Sequence, residues 1–492
     1  MNLFTVTVLA YPVILVVVSL WRARNIKSHA DFMVAGRSVA VPLPVGTLVC
    51  TWIGSGSLFG GAGLAYRTGI AELWFSFGAW VGLVFVYFIA HRVRAIAEYT
   101  VPDILEKRYN AAARVLGTIT IVLAYVTIAA YQFRGGGWIL AIVTDGAIDE
   151  TTGMYITCAV IVLFTAFAGM MSIVSVDIFN GLIITFGVLF ALPYMVFSNG
   201  GIAEIIAGLP AGHTEVLGGH NLLWVFGISL PTFLLLLGES GMYQKFFSAK
   251  DSKAARQAVV GMVAGVILIE TTLALLAIVG RSVYPDLMTQ TSVLGRAASE
   301  TIILFIAKDG LPIVGGAVLL AAAIAIVLST GNTFLLVPST NVSRDIYERF
   351  IDPEASESKK LIVQRVSIVA FGGLGILLLT QFQTVLEMAL YAYSLVGASL
   401  TPALLAAFLW RRVTPQGGVA CLAGGLFTIV GLKILDAWFD FTLTLGGTEF
   451  DFASSDYIVI PGVLISISLL VVVSLATPAS PEEKWAPFFQ TA

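Results

Sequence analysis

The sequence predicts an all-α polytopic membrane protein, and three observations carry that prediction. Hydrophobic residues make up 58% of the 492 and charged residues only 12%, with a mean hydropathy of +0.92, far outside the range of soluble domains. The charges fall in clusters between apolar runs, and thirteen of those runs approach the roughly 20 residues needed to cross the hydrocarbon core. Two of the thirteen carry residues that break their own helix.

In order, the expected spans cover about 3–21, 41–66, 72–90, 115–143, 154–169, 174–197, 220–240, 255–280, 312–340, 361–380, 384–409, 417–435 and 457–477. The first lacks a basic leading region and its basic cluster follows the apolar run, so it reads as a retained span and not as a signal peptide.

The second span holds Gly54, Gly56, Gly60, Gly61 and Gly63, interleaved with Ser55 and Ser57. Each glycine costs about 1 kcal/mol of helix propensity against alanine, and lipid supplies no water to a freed carbonyl. Such a break persists where it lines a cavity or holds a ligand, and unwound carbonyls near the midplane are what a transporter's cation site is built from. A glycine-rich packing face is the other reading.

A second interruption, Leu237 to Gly241, ends the seventh span, which already contains Pro231. It lies five spans after the first, so the two broken spans run in opposite directions. Paired discontinuous segments of opposed polarity point to an inverted repeat. The expected division is an extra helix and loop at 1–40, a first five-helix repeat at 41–200, its inverted partner at 220–410, and two extra helices with a tail at 411–492.

Lysine and arginine concentrate after the odd-numbered spans. Arg92, Arg94, Lys107, Arg108 and Arg114 follow the third, and Arg344, Arg349, Lys359, Lys360 and Arg365 follow the ninth, whereas the alternate loops carry only Arg67, Arg281, Arg296 and Lys308. The bias places the N-terminus outside and the C-terminus in the cytoplasm, as an odd number of spans in a cytoplasmic (inner) membrane requires.

Other functional classes find little support. A net charge of -3 without a basic tail gives no sign of nucleic-acid binding. Cys50, Cys158 and Cys421 sit singly in apolar runs, and His29, His91, His213 and His220 fall in or beside loops, so neither a disulfide framework nor a histidine relay is implied. No HExxH or nucleophile elbow suggests an enzyme, no obligate protein partner is implied, and the segment after Ala476 is too short for a sensor's output domain.

Six motifs, in order, resemble the sodium:solute symporter family: DFMVAGRS at 31–38, YTVPDILEKRY at 99–109, AGMMSIVSVD ending at Asp177, MYQKFFSAKD at 242–251, LSTGNTFLLVPSTNVSRDIY at 328–347 and YSLVGASLTP at 393–402. The resemblance implies ten core helices in two inverted repeats, the leucine-transporter arrangement, and uptake of a small organic solute driven by co-transported sodium. It also implies a sodium site between spans two and nine, made by the carbonyls of Cys50, Ile53 and Ile326 and the hydroxyls of Ser329 and Thr330. The chemistry agrees, since a hard cation prefers oxygen ligands. Taken alone, Ser329 and Thr330 could equally bond back to their own helix.

Asp177 matches a family aspartate of the inner gate or of a second cation. Ile326 stands where members with that second site add a serine, and a helix-end placement is the plainer reading. Arg134, followed by three glycines, has a fork suited to a carboxylate, and Glu239 stands at the second break. The pair is expected either to grip opposite ends of a zwitterion, so that Arg134→Ala abolishes uptake, or to neutralise each other or bond to carbonyls. Trp52, Gly54, Ser55, Ser57 and Tyr243 complete the candidate solute site, with Trp52 also suited to a quaternary ammonium. Glu72, Glu270 and Glu387 read as solvated residues near span ends. A carboxylate-bearing or zwitterionic solute is expected, with organic-cation or sugar symport, or proton coupling through Asp177, as alternatives.

Overall fold

The computed structural model describes residues 3–23, 48–50, 52–96, 98, 100–248, 252–287, 296–436, 438–445 and 448–489. Thr51 and the 31–38 motif therefore lie outside the described residues, as do the side chains of 168–176 and 245–251.

The chain begins with α1 (Leu3–Ala23), and helical residues 48–50 lead to the first break. Beyond it a wide π-type turn, Gly56–Gly61, runs into α2 (Ala62–Thr68), followed by α3 (Leu73–Ile96), α4 (Val101–Arg108), α5 (Ala111–Val143) and α6 (Glu150–Ser198). The short α7 (Ile202–Ala207) precedes α8 (Leu222–Gly238) and α9 (Ser240–Ser248), which flank the second break. Then come α10 (Ser252–Val283), α11 (Arg296–Ser299), α12 (Ile302–Phe305), α13 (Ile313–Asn341), α14 (Glu357–Leu379), α15 (Val385–Leu395) and α16 (Thr401–Leu409). α17 (Pro415–Leu435), a hairpin of β1 (Thr442–Leu445) with β2 (Thr448–Asp451), α18 (Val459–Ala476) and α19 (Glu482–Phe489) complete the chain.

Among the described residues, eleven helical stretches are long and apolar enough to cross a membrane, against thirteen predicted. The expected second and third spans run together as one stretch from Gly56 to Ala90, and the first helix contributes only the shorter Leu3–Ile14. The junction within Gly56–Ala90 is a sharp turn at Gly69, whose φ of +64° places any Cβ 2.0 Å from the His213 carbonyl oxygen, so only glycine fits. The expected fifth and sixth spans form one 49-residue helical segment containing two span-length stretches, Glu150–Phe167 and Phe179–Ser198. The hairpin was not foreseen, because two four-residue strands between spans are too short to carry a pattern of their own.

Burial separates the centre of the bundle from its rim. The apolar windows of Ile313–Ile351 and Val385–Leu409 are 78% and 89% buried, against 28% for α14 and for α18. α13 reaches the centre because Gly316, Ala321, Ala322, Ala323, Ala325 and Gly331 let neighbouring helices approach closely, and it packs most extensively on α6 and α5.

Capping fixes the ends. Thr100 and Asp103 exchange side-chain and backbone hydrogen bonds in a capping box that starts α4, while Asn221, Ser356 and Thr384 cap α8, α14 and α15. Outside the spans, buried Glu300 accepts N–H bonds from Val385 (2.8 Å) and Leu386 (2.9 Å) at the start of α15. Burial lifts its carboxyl above the ordinary range, and these N–H groups oppose the lift.

Candidate functional site

The first break is a local loss of helical bonding. Ile53 N–H still donates to the Val49 carbonyl (2.9 Å), but the next turn restarts at Gly54, whose carbonyl accepts from both Ser57 (3.1 Å) and Leu58 (3.0 Å). Between them Ser55 turns to a side chain: its N–H (3.1 Å) and its hydroxyl (2.6 Å) both donate to Oε1 of Gln132 on α5. Gln132 was not anticipated, because a polar residue beside Arg134 carries no signal of its own.

On the other side of the break the hydroxyl of Thr330 on α13 lies 3.3 Å from the Cys50 carbonyl oxygen and 3.3 Å from that of Ile53. Oxygens sharing a cation at roughly 2.4 Å lie about 3 to 4 Å apart, and both distances from the Thr330 hydroxyl fall in that range. The approach depends on glycine, since a Cβ at Gly54 would fall 2.9 Å from the Thr330 methyl. Ile326 is one helical turn before Thr330 and fully buried.

Ser329 Oγ donates to Asp177 Oδ1 (2.5 Å), and Cys50 Sγ donates to the Asp177 carbonyl (3.2 Å). At 1% exposure, Asp177 is not a solvated helix end. Three elements thus converge on one cluster: the broken span, α13 and the middle of α6. Tyr11 of α1 braces it by donating to Asn180 Oδ1 (2.5 Å), one turn beyond Asp177.

The structure brings neither Arg134 nor Glu239 to this cluster, nor to each other. Arg134 Nη2 donates to the carbonyls of Leu379 (2.7 Å) and Phe382 (2.9 Å), bridging the end of α14 to the approach of α15, as the carbonyl alternative anticipated. It also lines a lateral cleft of about 250 Å³ with Trp138, Glu150 and Met154. Glu239 closes the second break. Its Oε1 accepts from Tyr125 (2.7 Å) and Gly241 N–H (2.9 Å), its Oε2 accepts from Met242 N–H, and Tyr243 donates to the Leu237 carbonyl (2.7 Å). A carboxylate on the first N–H groups of a helix is the favourable place for a negative charge. Nine residues of α5, about 13 Å of helix, separate Arg134 from Glu239's partner Tyr125.

Trp52 and Ser57 face a different carboxylate. Trp52 Nε1 (2.8 Å) and Ser57 Oγ (3.2 Å) donate to Glu270 Oε1, and Trp80 Nε1 (2.8 Å) donates to Oε2. Glu270 and Glu72 are 4% and 2% exposed, which corrects their reading as solvated residues near span ends. Glu270 stands ten residues inside the expected 255–280 span, so its depth was legible. Glu72 is buried because the Gly69 turn folds the loop inward.

Comparison with known proteins places this geometry. The chain matches the Sodium:solute symporter family over residues 32–425. It is 25% identical to the osmoregulated proline transporter OpuE of Bacillus subtilis, covering 91% of this chain and 89% of that one. It is 24% identical to a sodium/proline symporter of Staphylococcus aureus, covering 96% and 92%. The fold is similar to that of a Na+-coupled sialic acid symporter in its substrate-bound outward-open state, with a TM-score of 0.77, 14% identity and coverage of 98% and 99%. It is also similar to MhsT in complex with L-phenylalanine, with a TM-score of 0.54, 14% identity and coverage of 89% and 98%. The chain belongs to the sodium:solute symporter family: it is a multi-pass membrane transporter, not an enzyme, that carries a small organic solute together with sodium.

Proposed function

We propose that the transporter takes up a small zwitterionic, carboxylate-bearing solute, with sodium held by the carbonyls of Cys50, Ile53 and Ile326 and the hydroxyls of Ser329 and Thr330. The observation that carries this reading is Thr330 Oγ1 at 3.3 Å from both freed carbonyls. The solute sits beside the ion at the break, where the outer half-helix starting near Ser55 turns its positive end toward the midplane and favours a carboxylate. Its lining is Trp52, Gly54, Ser55 and Ser57. Arg134 and Glu239 brace the helices around the site, as does Tyr243, and Asp177 orients Ser329 at the inner gate. The proline transporters among the relatives are consistent with an amino-acid-like solute.

The same reading takes thirteen crossings in two inverted five-helix repeats, with one extra helix before them and two after. Thr165 donates to Asn332 Oδ1 (3.0 Å) and Asp177 accepts from Ser329, so α6 meets one level of α13 twice within twelve residues. A straight helix would carry those twelve residues about 18 Å apart, whereas Ser329 and Asn332 are one turn apart, which supports two antiparallel crossings within Glu150–Ser198. With lysine and arginine after odd-numbered crossings, the N-terminus lies outside and the C-terminus in the cytoplasm, across the inner membrane.

Sodium entering from outside ties the broken span to α13 and favours the state that presents the solute pocket. Coupling is reciprocal, so solute must tighten sodium by the factor that sodium tightens solute. Uptake of radiolabelled amino acids, betaines, carboxylates and sugars into proteoliposomes, with and without a sodium gradient, tests the proposal. Sodium-dependent accumulation of a zwitterion is expected. Undiminished accumulation without sodium would overturn it and turn attention to protons on Asp177.

A further inference from the structure

Glu270 of α10 meets the broken span and α3, Glu72 stands about two helical turns before Glu270's partner Trp80, and the described residues place no ion-pairing cation on either carboxylate. Every hydrogen-bond partner of Glu270 among the described residues donates to it: Trp52 Nε1 at 2.8 Å, Trp80 Nε1 at 2.8 Å and Ser57 Oγ at 3.2 Å. Indole N–H groups donate only, so this surround solvates the ionised carboxylate and offers a protonated one little. A carboxylate has about four acceptor positions, and three are filled, which leaves one open on Oε2.

Glu72, Ser76 and Trp80 follow at intervals of four along one face of α3 and its leading turn. Ser76 donates to Glu72 Oε1 (3.1 Å), while Glu72 Oε2 is buried with no hydrogen-bond partner. Two buried carboxyl groups, one with an orphaned oxygen, and no cation beside either among the described residues leave a site inside the bilayer that a positive charge would stabilise. Aromatic rings wall it. Trp52 and Tyr393 stack with centroids 6.3 Å apart, and the Phe75 ring lies 6.4 Å from Tyr393. Trp52 and Ser57 are partly exposed, so the wall is reached from the break.

We propose that Glu270 is the counter-ion for a positively charged nitrogen of the solute, an amine or quaternary ammonium seated against Trp52 and Tyr393. This rests on the solute site proposed above at the first break, and it deepens that reading. The carboxylate end lies at the half-helix terminus near Ser55, and the cationic end reaches the open position on Glu270. Charge-assisted bonding and ring quadrupoles both favour the cation over a neutral group of the same shape.

Thermal stabilisation and binding titration of the purified full-length protein in saturating sodium chloride test this with matched pairs. L-proline is compared with cyclopentanecarboxylate, glycine betaine with 3,3-dimethylbutanoate, and choline with 3,3-dimethylbutan-1-ol. At least one ammonium compound is expected to bind at least about tenfold more tightly than its uncharged-centre partner. Glu270→Gln should erase that preference while sodium still stabilises the variant. Should Glu270→Gln fail to assemble, Glu270→Asp keeps the charge and is expected to weaken the same compound several-fold with the preference retained. No binding by any ammonium compound, equal binding within every pair, or a preference that survives Glu270→Gln would overturn the proposal. Ammonium preference without sodium stabilisation would leave the counter-ion standing and defeat the symport reading instead.

Discussion

At position 54 a single methyl group is enough to disturb the proposed cation site. The Cβ of Gly54→Ala would lie 2.9 Å from the Thr330 methyl and 3.2 Å from its hydroxyl, while Gly373 has nothing within 4 Å of the same added atom. Overpacking of this kind costs about 1 to 3 kcal/mol, so Gly54→Ala should raise the sodium concentration for half-maximal uptake by about tenfold, with Gly373→Ala unchanged. Arg134 belongs to a different class. Its guanidinium serves two carbonyls across helices, so Arg134→Ala is now expected to lower thermal stability while keeping the solute KM of the surviving protein within about threefold. Uptake and thermal unfolding on the same preparation check both. Ser329, Thr330 and Asp177 were legible as candidates through the family resemblance of the motifs that hold them. The partners of Arg134 were not, because backbone carbonyls leave no trace in side-chain identity.

Each break is held open by side chains from another element. At the first, Gln132 of α5 takes the N–H and hydroxyl of Ser55. At the second, Tyr125 of the same helix meets Glu239, so α5 touches both discontinuities. The glycines showed where the helices fail. What keeps the failures from closing was hidden, since it depends on which residues of α5 face inward. Glu239→Gln removes the charge that holds the N–H groups of Gly241 and Met242, and is expected to cost roughly 1 to 2 kcal/mol of stability. Thermal melts in detergent read this directly, and a change in solute selectivity without loss of stability would argue for solute contact instead. The long α6 illustrates the converse: apolar windows predicted two spans there, and the structure holds two span-length stretches in one 49-residue helical segment, whose boundary helix propensity does not register.

Across the whole molecule, polar contacts tie the helices together at both ends of the bundle, as an inner and an outer seal. On the cytoplasmic side by the proposed orientation, Asp103 pairs with Arg114 and with Arg344 (2.9 Å), Glu106 pairs with Arg114 (2.9 Å) and Arg349 (2.9 Å), and Thr100 donates to Asp345 (2.9 Å). This network fastens α4 and α5 to the chain that continues α13, the helix carrying Thr330. At the opposite end Glu300 grips the start of α15, and Arg67 donates to Ser299 (2.5 Å). The motifs around Asp103 and Asp345, some 240 residues apart in sequence, meet here, and nothing in either alone foretold it. Weakening the inner seal should populate the inward-open state. In a Cys158→Ser, Cys421→Ser background, Asp345→Asn is expected to raise maleimide labelling of buried Cys50 several-fold in sodium-free buffer, with sodium suppressing the increase. Labelling as slow as in the parent would contradict that role.

The central claim is that the freed carbonyls of Cys50 and Ile53, with the Thr330 hydroxyl, hold the transported ion. Equilibrium binding of radioactive sodium to the purified protein, wild type against Thr330→Ala, tests it most directly. A loss of sodium affinity of at least about tenfold in a variant that melts like the wild type is the predicted result. Sodium bound equally well by that variant would contradict the account.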